Sequence, residues 1–220
     1  LVGNTLNPDL SVVGTVEALY SDDTSNPDRA RTSVSEIELG IGADIDPFSK
    51  AFILFAKEAD EFNLEEAYVI TRTGPFDLQY KIGKFFAAFG KLNQVHGHVY
   101  PFLTTPLIIE NYFGEERLAD AGASVSGLLP LPFFSEITVQ AINDNNVSFT
   151  TGDVHPVLIA QWKNFIDLSD DLGLEGALSL AQGRNNTGET SSLTGAYMQL
   201  KYLMGKHNFI KAHTEFLGSR

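Results

Sequence analysis

Residues 35–45 read SEIELGIGADI, in which Ile37, Leu39, Ile41, Ala43 and Ile45 alternate with Glu36, Glu38, Gly40, Gly42 and Asp44. Successive side chains of an extended chain point to opposite faces, so this spacing predicts a strand with one apolar and one polar face. A looser version precedes it at 10–20. There Val12, Gly14, Val16, Ala18 and Tyr20 share a face opposite Ser11, Thr15 and Glu17, with Val13 and Leu19 interrupting the polar row.

The same period recurs at 50–57, 64–73, 78–86, 118–129, 133–142, 157–166, 172–181, 193–204 and 209–217. That predicts about eleven strands of order ten residues, the length a tilted strand needs to cross a bilayer. Only the stretch 91–117 has room for a short helix. Connections at 46–49, 74–77, 130–132, 167–171 and 205–208 read as tight turns, and those at 21–32, 58–63, 91–117, 143–156 and 182–192 as longer polar loops. In an up-and-down meander, alternate connections lie on the same side, so the short turns gather at one rim and the long loops at the other, the asymmetry of outer-membrane barrels.

Three of the tight turns carry Pro before Phe: Pro47 and Phe48, Pro75 and Phe76, Pro132 and Phe133. Proline presets the turn dihedral and cannot donate to a ladder. With Phe165, Tyr202 and Phe209 beside the other two turns, these rings predict an aromatic girdle at one membrane interface.

Composition narrows the classes. The 220 residues are 43% hydrophobic, enough for one large folded domain, and 15 Lys and Arg against 28 Asp and Glu leave a formal charge of −13 that repels nucleic acid. No cysteine is present, which removes disulfides, thiol nucleophiles and Cys-based zinc sites. The most apolar window, 99–109, is broken by two prolines and two threonines, so no membrane-spanning helix is expected. The opening at Leu1 speaks neither for nor against secretion.

Alternation alone leaves open which face points inward, since a lipocalin-like soluble barrel alternates too. Strand length, alternating loop lengths and a charged polar face favour the membrane. On that reading Ile37, Leu39, Ile41, Ile137, Val139, Leu174, Leu178, Met198, Leu200 and Phe216 meet lipid. The lumen is then lined by Glu17, Glu36, Glu38, Glu66, Arg72, Glu136, Gln140, Lys163, Glu175, Lys201, Lys211, His213 and Glu215. A wall carrying both signs holds water and ion pairs and tunes ion preference through its field.

The stretches LEEAYVIT (64–71), KIGKFFAAFGKL (81–92) and NQVHGHVYPFLTTPL (93–107) resemble a family of bacterial outer-membrane proteins described as porins, phosphate-selective porin-like proteins or zinc-regulated outer-membrane receptors. The matching positions are Glu65, Glu66, Ala67 and Tyr68, then Gly83, Lys84, Phe85, Phe86 and Gly90, then Asn93, His96, His98, Tyr100, Pro106 and Leu107; Ile70 departs from the pattern. The resemblance implies an antiparallel up-and-down transmembrane β-barrel in the outer membrane of a Gram-negative bacterium. It implies ions or small solutes as cargo, lipid and lipopolysaccharide as surroundings, and homo-oligomers as one mode of assembly. Family members continue past the position of Arg220, so the barrel is expected to be cut short at its C-terminal end, an even strand number requiring at least one more strand.

His96 and His98, two apart on an extended segment, point the same way and are candidate ligands for a divalent metal such as zinc, with Glu110, Glu115 or Glu116 as a third; a hydrogen-bonded histidine pair shaping the loop is the alternative. The loop 91–117, too long and apolar to wave in water, is expected to fold inward as a constriction or plug. Gly40 and Gly42 lack a third phosphate-loop glycine, no Gly-x-Ser-x-Gly or His-Glu-x-x-His occurs, and Glu65 and Glu66 are expected on opposite faces of a strand, so no enzyme is read here. Asn146, Val147 and Ser148 match a sequon short enough to arise by chance. Two functions remain open: a channel for ions or small solutes, and a receptor or binding protein whose barrel is a scaffold for loops.

Overall fold

The structure, a computed structural model, describes residues 8–27, 29–58, 61–71, 73–102, 104–114, 116–143, 146–150 and 155–220. Arg72 and Glu115 therefore lie outside the described residues.

Eleven strands form one antiparallel sheet in chain order: β1 (Asp9–Tyr20), β2 (Ala30–Asp46), β3 (Ser49–Glu58), β4 (Glu61–Thr71), β5 (Gln79–Phe86), β6 (Ala119–Leu128), β7 (Phe134–Ile142), β8 (Val157–Ser169), β9 (Leu172–Arg184), β10 (Thr190–Met204) and β11 (Asn208–Ser219). Each strand pairs with the next, the topology that short connections between alternating segments favour. Among the described residues β1 pairs only with β2 and β11 only with β10, so both are edges.

The ladders run further into the loops than the polar sequence there suggests. β2 starts at Ala30, and β3 and β4 pair as far as Glu58 with Glu61, so the strands take up most of the stretch expected as a polar loop at 58–63. Likewise β9 and β10 pair out to Arg184 and Thr190. A ladder continues wherever the backbone groups have a partner, whatever the side chains, so polarity marks loop ends poorly. The long connections that remain are 21–29, 87–118 and 143–156, all at one rim. At the opposite rim, Asp46 Oδ1 accepts from the N–H of Phe48 and Ser49 at 2.7 and 2.8 Å to close the β2–β3 turn, and Phe48 and Phe76 project from their turns into the surroundings.

Register shows how the two faces are built. Glu136, Lys163, Ala177, Tyr197 and Glu215 lie side by side across β7–β11. One residue along, Ile137, Trp162, Leu178, Ala196 and Phe216 form the neighbouring row on the other face. The burial is inverted relative to a water-soluble sheet. Glu38, Glu66, Gln140, Gln161 and Ser179 are all below 8% exposed, whereas Val139, Leu158, Leu178 and Phe216 are exposed between 52% and 68%.

The segment 87–118 covers the polar face and accounts for that inversion. It contains two single 3-10 turns (Leu92–Gln94 and Gly97–Val99) and the seven-residue helix α1 (Leu107–Phe113). Its apolar residues Phe89, Ile109, Phe113 and Leu118 are completely or almost completely buried against Ile142, Val157, Ile159, Ala181 and Leu193. Those five sit on the otherwise polar face at the long-loop ends of β7–β10, where they make an apolar seat. The rest of the segment lies over the polar part of the wall.

Candidate functional site

Asn93 closes the neck of the inserted segment. Completely buried, it donates from Nδ2 to the carbonyls of Ala87 and Leu118, both at 3.0 Å, and accepts from the Leu118 N–H at 2.8 Å. With the Ala87 N–H donating to the Leu118 carbonyl at 2.8 Å, the two ends are held together where β5 leaves and β6 begins. An unpaired buried amide group costs about 1–3 kcal/mol, against a net of about 1 kcal/mol for a satisfied one, so this residue fixes where the segment turns inward. Asn146, part of the sequon, has a structural use from the neighbouring loop: its Nδ2 donates to the Phe113 and Arg117 carbonyls at 2.7 and 2.8 Å, and Ser148 Oγ donates to the Tyr112 carbonyl.

From the neck the segment reaches both sides of the wall. Toward β7–β11, the Ala88 N–H donates to Gln140 Oε1 at 2.7 Å, the Gly90 N–H to Ser179 Oγ at 3.0 Å, and Gln161 Nε2 to the Gly90 carbonyl at 3.0 Å. Lys91 Nζ pairs with Glu175 at 2.9 Å, and the hydroxyl of Tyr197 donates to the same carboxylate oxygen at 2.7 Å. Toward β2 and β4, His98 Nδ1 lies 2.8 Å from Glu38 Oε1, His96 Nδ1 3.3 Å from Glu65 Oε2, and His96 Nε2 3.2 Å from Glu66 Oε2. The two imidazoles stack with centroids 6.0 Å apart and planes 7° from parallel.

Glu65 and Glu66 reach the same ring because β4 carries a β-bulge. Leu54 of β3 pairs with Glu66 and Phe55 with Leu64, leaving Glu65 as the extra residue. A bulge re-aims one side chain, so the expectation that strand alternation parts these two carboxylates fails here. Burial alone would lower the pKa of His96. The hydrogen bonds to Glu65 and Glu66, with the charges of Glu66 and Glu38, outweigh it and raise the value to about 9. In the absence of any other cation the ring is thus positively charged at neutral pH.

Among the described residues, the acids facing the histidines come from the wall. Glu110 is exposed on α1, and Glu116 lines a recess of about 400 Å³ with Glu61, Glu65, Lys84 and Arg117. Glu17 and Glu36 line a second recess, with Gly97, His98 and Arg117. Of the residues read from sequence as lumen-lining, Glu38, Glu66, Gln140, Glu175 and Glu215 touch the segment. Glu136, Lys163, Lys201, Lys211 and His213 share their face, nearer the short-turn rim or the β11 edge. Glu65, Gln161, Ser179 and Lys91 were not among the residues expected to line the lumen. A bulge leaves no mark in the periodicity, and the two neutral residues carry no charge to draw notice.

No known protein family's profile matches the chain. An uncharacterized protein of Aquifex aeolicus (strain VF5) is 28% identical over 208 residues, a match that covers 83% of this chain and 44% of that protein. The chain thus spans less than half the length of the curated relative it matches. Among solved structures, a loop L8 deletion mutant of OmpT, an outer membrane protein of Vibrio cholerae, is 9% identical with a TM-score of 0.39, covering 97% of this chain and 94% of that one. In-vitro folded OmpT gives a TM-score of 0.31 at 9% identity, covering 100% and 89%.

Proposed function

We propose that the chain forms wall and constriction of a bacterial outer-membrane β-barrel channel, in which the segment 87–118 narrows a polar lumen to a passage for ions or small solutes. The observation that carries this reading is the inverted burial: carboxylates and amides lie under the segment while Val139, Leu158, Leu178 and Phe216 face outward. An apolar face of that extent is costly in water and favourable in hydrocarbon. Strands of eight to 17 residues suit a tilted crossing. In a bilayer both sheet edges must also find partners, since each unsatisfied backbone group costs several kcal/mol there. Because β1 and β11 run in the same direction, antiparallel closure takes an odd number of further strands.

The contacts spanning from β7–β11 to β2 and β4 favour a second reading, in which the segment fills the lumen and the barrel serves as scaffold for a receptor or binding surface. Single-channel recording on the full-length protein in planar bilayers separates the two. A constricted channel gives steady current that grows when 91–117 is deleted. A plugged receptor is silent until the deletion, and a protein that never enters the bilayer overturns both.

A further inference from the structure

We propose that Glu38, Glu65 and His96 form a binding site for a divalent transition-metal cation, with Glu66 and His98 as its outer shell, and that the bound cation fastens the inserted segment to β2 and β4. One donor atom from each of the three lies within 4.8 Å of the other two. Metal–ligand bonds of about 2.0–2.2 Å in a tetrahedral arrangement put donors about 3.4 Å apart. The 3.3 Å between His96 Nδ1 and Glu65 Oε2 already has that span, and Glu38 has to close by no more than about an ångström and a half.

The surroundings supply what such a centre requires beyond its ligands. A ligating histidine characteristically donates its other ring N–H to a carboxylate, which fixes ring orientation, and ligating carboxylates are themselves hydrogen-bonded. Glu66 Oε2 stands 3.2 Å from His96 Nε2, the nitrogen left over when Nδ1 binds, and His98 Nδ1 stands 2.8 Å from Glu38 Oε1. Charge points the same way. Three carboxylates meet here, with Glu38 3% and Glu66 7% exposed, and buried like charges are expensive unless compensated. A divalent cation held among them supplies that compensation. Imidazole with carboxylates and no thiolate suits Zn²⁺ and its first-row neighbours better than Ca²⁺ or Mg²⁺, which prefer all-oxygen shells.

The site stands on its own geometry, and only its effect on current rests on the channel reading. The test is calorimetric titration of Zn²⁺ into the chelator-treated full-length protein. One equivalent is expected to bind, with affinity lowered at least a hundredfold in His96→Gln and Glu65→Gln, about tenfold to a hundredfold in Glu66→Gln, and unchanged in His207→Gln, a histidine in the β10–β11 turn. X-ray absorption of the Zn²⁺-loaded wild type needs no variant, and one imidazole with oxygen neighbours is the expected shell. The absence of stoichiometric binding, a shell of several imidazoles, or binding lost in His207→Gln but kept in His96→Gln overturns the site. If Zn²⁺ binds as described while the full-length protein passes no current in the bilayer, the metal site stands and the channel reading falls.

Discussion

The side-chain carboxylate of Glu215 on β11 accepts a hydrogen bond from the backbone N–H of Lys91 at 3.2 Å, across 124 residues of sequence. It also accepts from the Leu92 N–H at 3.1 Å, and its side chain is only 2% exposed. One acid on the edge strand thus holds the first bend of the inserted segment. Hydrogen bonds to a charged group are worth about 1.5–3 kcal/mol each way when buried. Glu215→Ala is therefore expected to speed hydrogen exchange at the Lys91 and Leu92 amides by about tenfold to a hundredfold while the strand amides of β8 and β9 stay protected. Unchanged exchange would show the segment to be held elsewhere.

Gly90 is coupled to the same acid. Its φ is +62°, and a Cβ there would lie 1.9 Å from Glu215 Oε1. Gly90→Ala costs about 1–2 kcal/mol for the left-handed backbone and displaces the carboxylate besides. The double variant with Glu215→Ala is expected to be less destabilised than the sum of the singles, by about 0.5–3 kcal/mol in denaturant titrations. Additive effects would mean that the two residues do not share this contact.

Phe113 anchors α1 in the apolar seat, 1% exposed and edge-on to Phe89 with ring centroids 5.4 Å apart. Truncation of a buried phenylalanine to alanine costs about 3–5 kcal/mol. Because that packing lies between segment and wall, Phe113→Ala is expected to admit protease within 87–118 while the strand spectrum by circular dichroism is retained. Loss of the whole sheet would show the segment to be needed for the wall to fold.

Val139 separates membrane from water. It is 52% exposed and neighbours the buried Gln140. At the bilayer midplane Val139→Arg costs about 2–4 kcal/mol, whereas on a water-facing surface such a change stays within about 0.5 kcal/mol. Equilibrium folding into lipid vesicles against urea measures the difference, and the smaller value would sink the membrane reading.

Trp162, the single tryptophan of the chain, lies on the same outward face and donates from Nε1 to Ser135 Oγ at 2.9 Å. In vesicles its fluorescence is expected to be blue-shifted, strongly quenched by lipids brominated on the acyl chain and weakly by iodide in the buffer. The reverse pattern would place the ring in water.

Local alternation was enough for the eleven strands and for the sorting of Glu38, Glu66, Gln140, Glu175 and Glu215 onto one face opposite Val139, Leu178 and Phe216, and the connection lengths were enough for their antiparallel order. The faces follow from a two-residue repeat that each strand carries in itself, and the order from turns too short to let a strand pair anywhere but beside its neighbour. His96 and His98 stood out for a like reason, their spacing being visible without any partner. Their partners were not visible, because Glu38 and Glu65 lie about 60 and 30 residues away and the choice between them and the nearer acids Glu110 and Glu116 depends on where the segment comes to rest. The tertiary structure alone decided that. The apolar seat on an otherwise polar wall draws in Phe89, Ile109 and Phe113, Asn93 closes the neck, and the bulge in β4 turns Glu65 toward His96. Each is a contact between residues distant in the chain, which no period within a strand can specify.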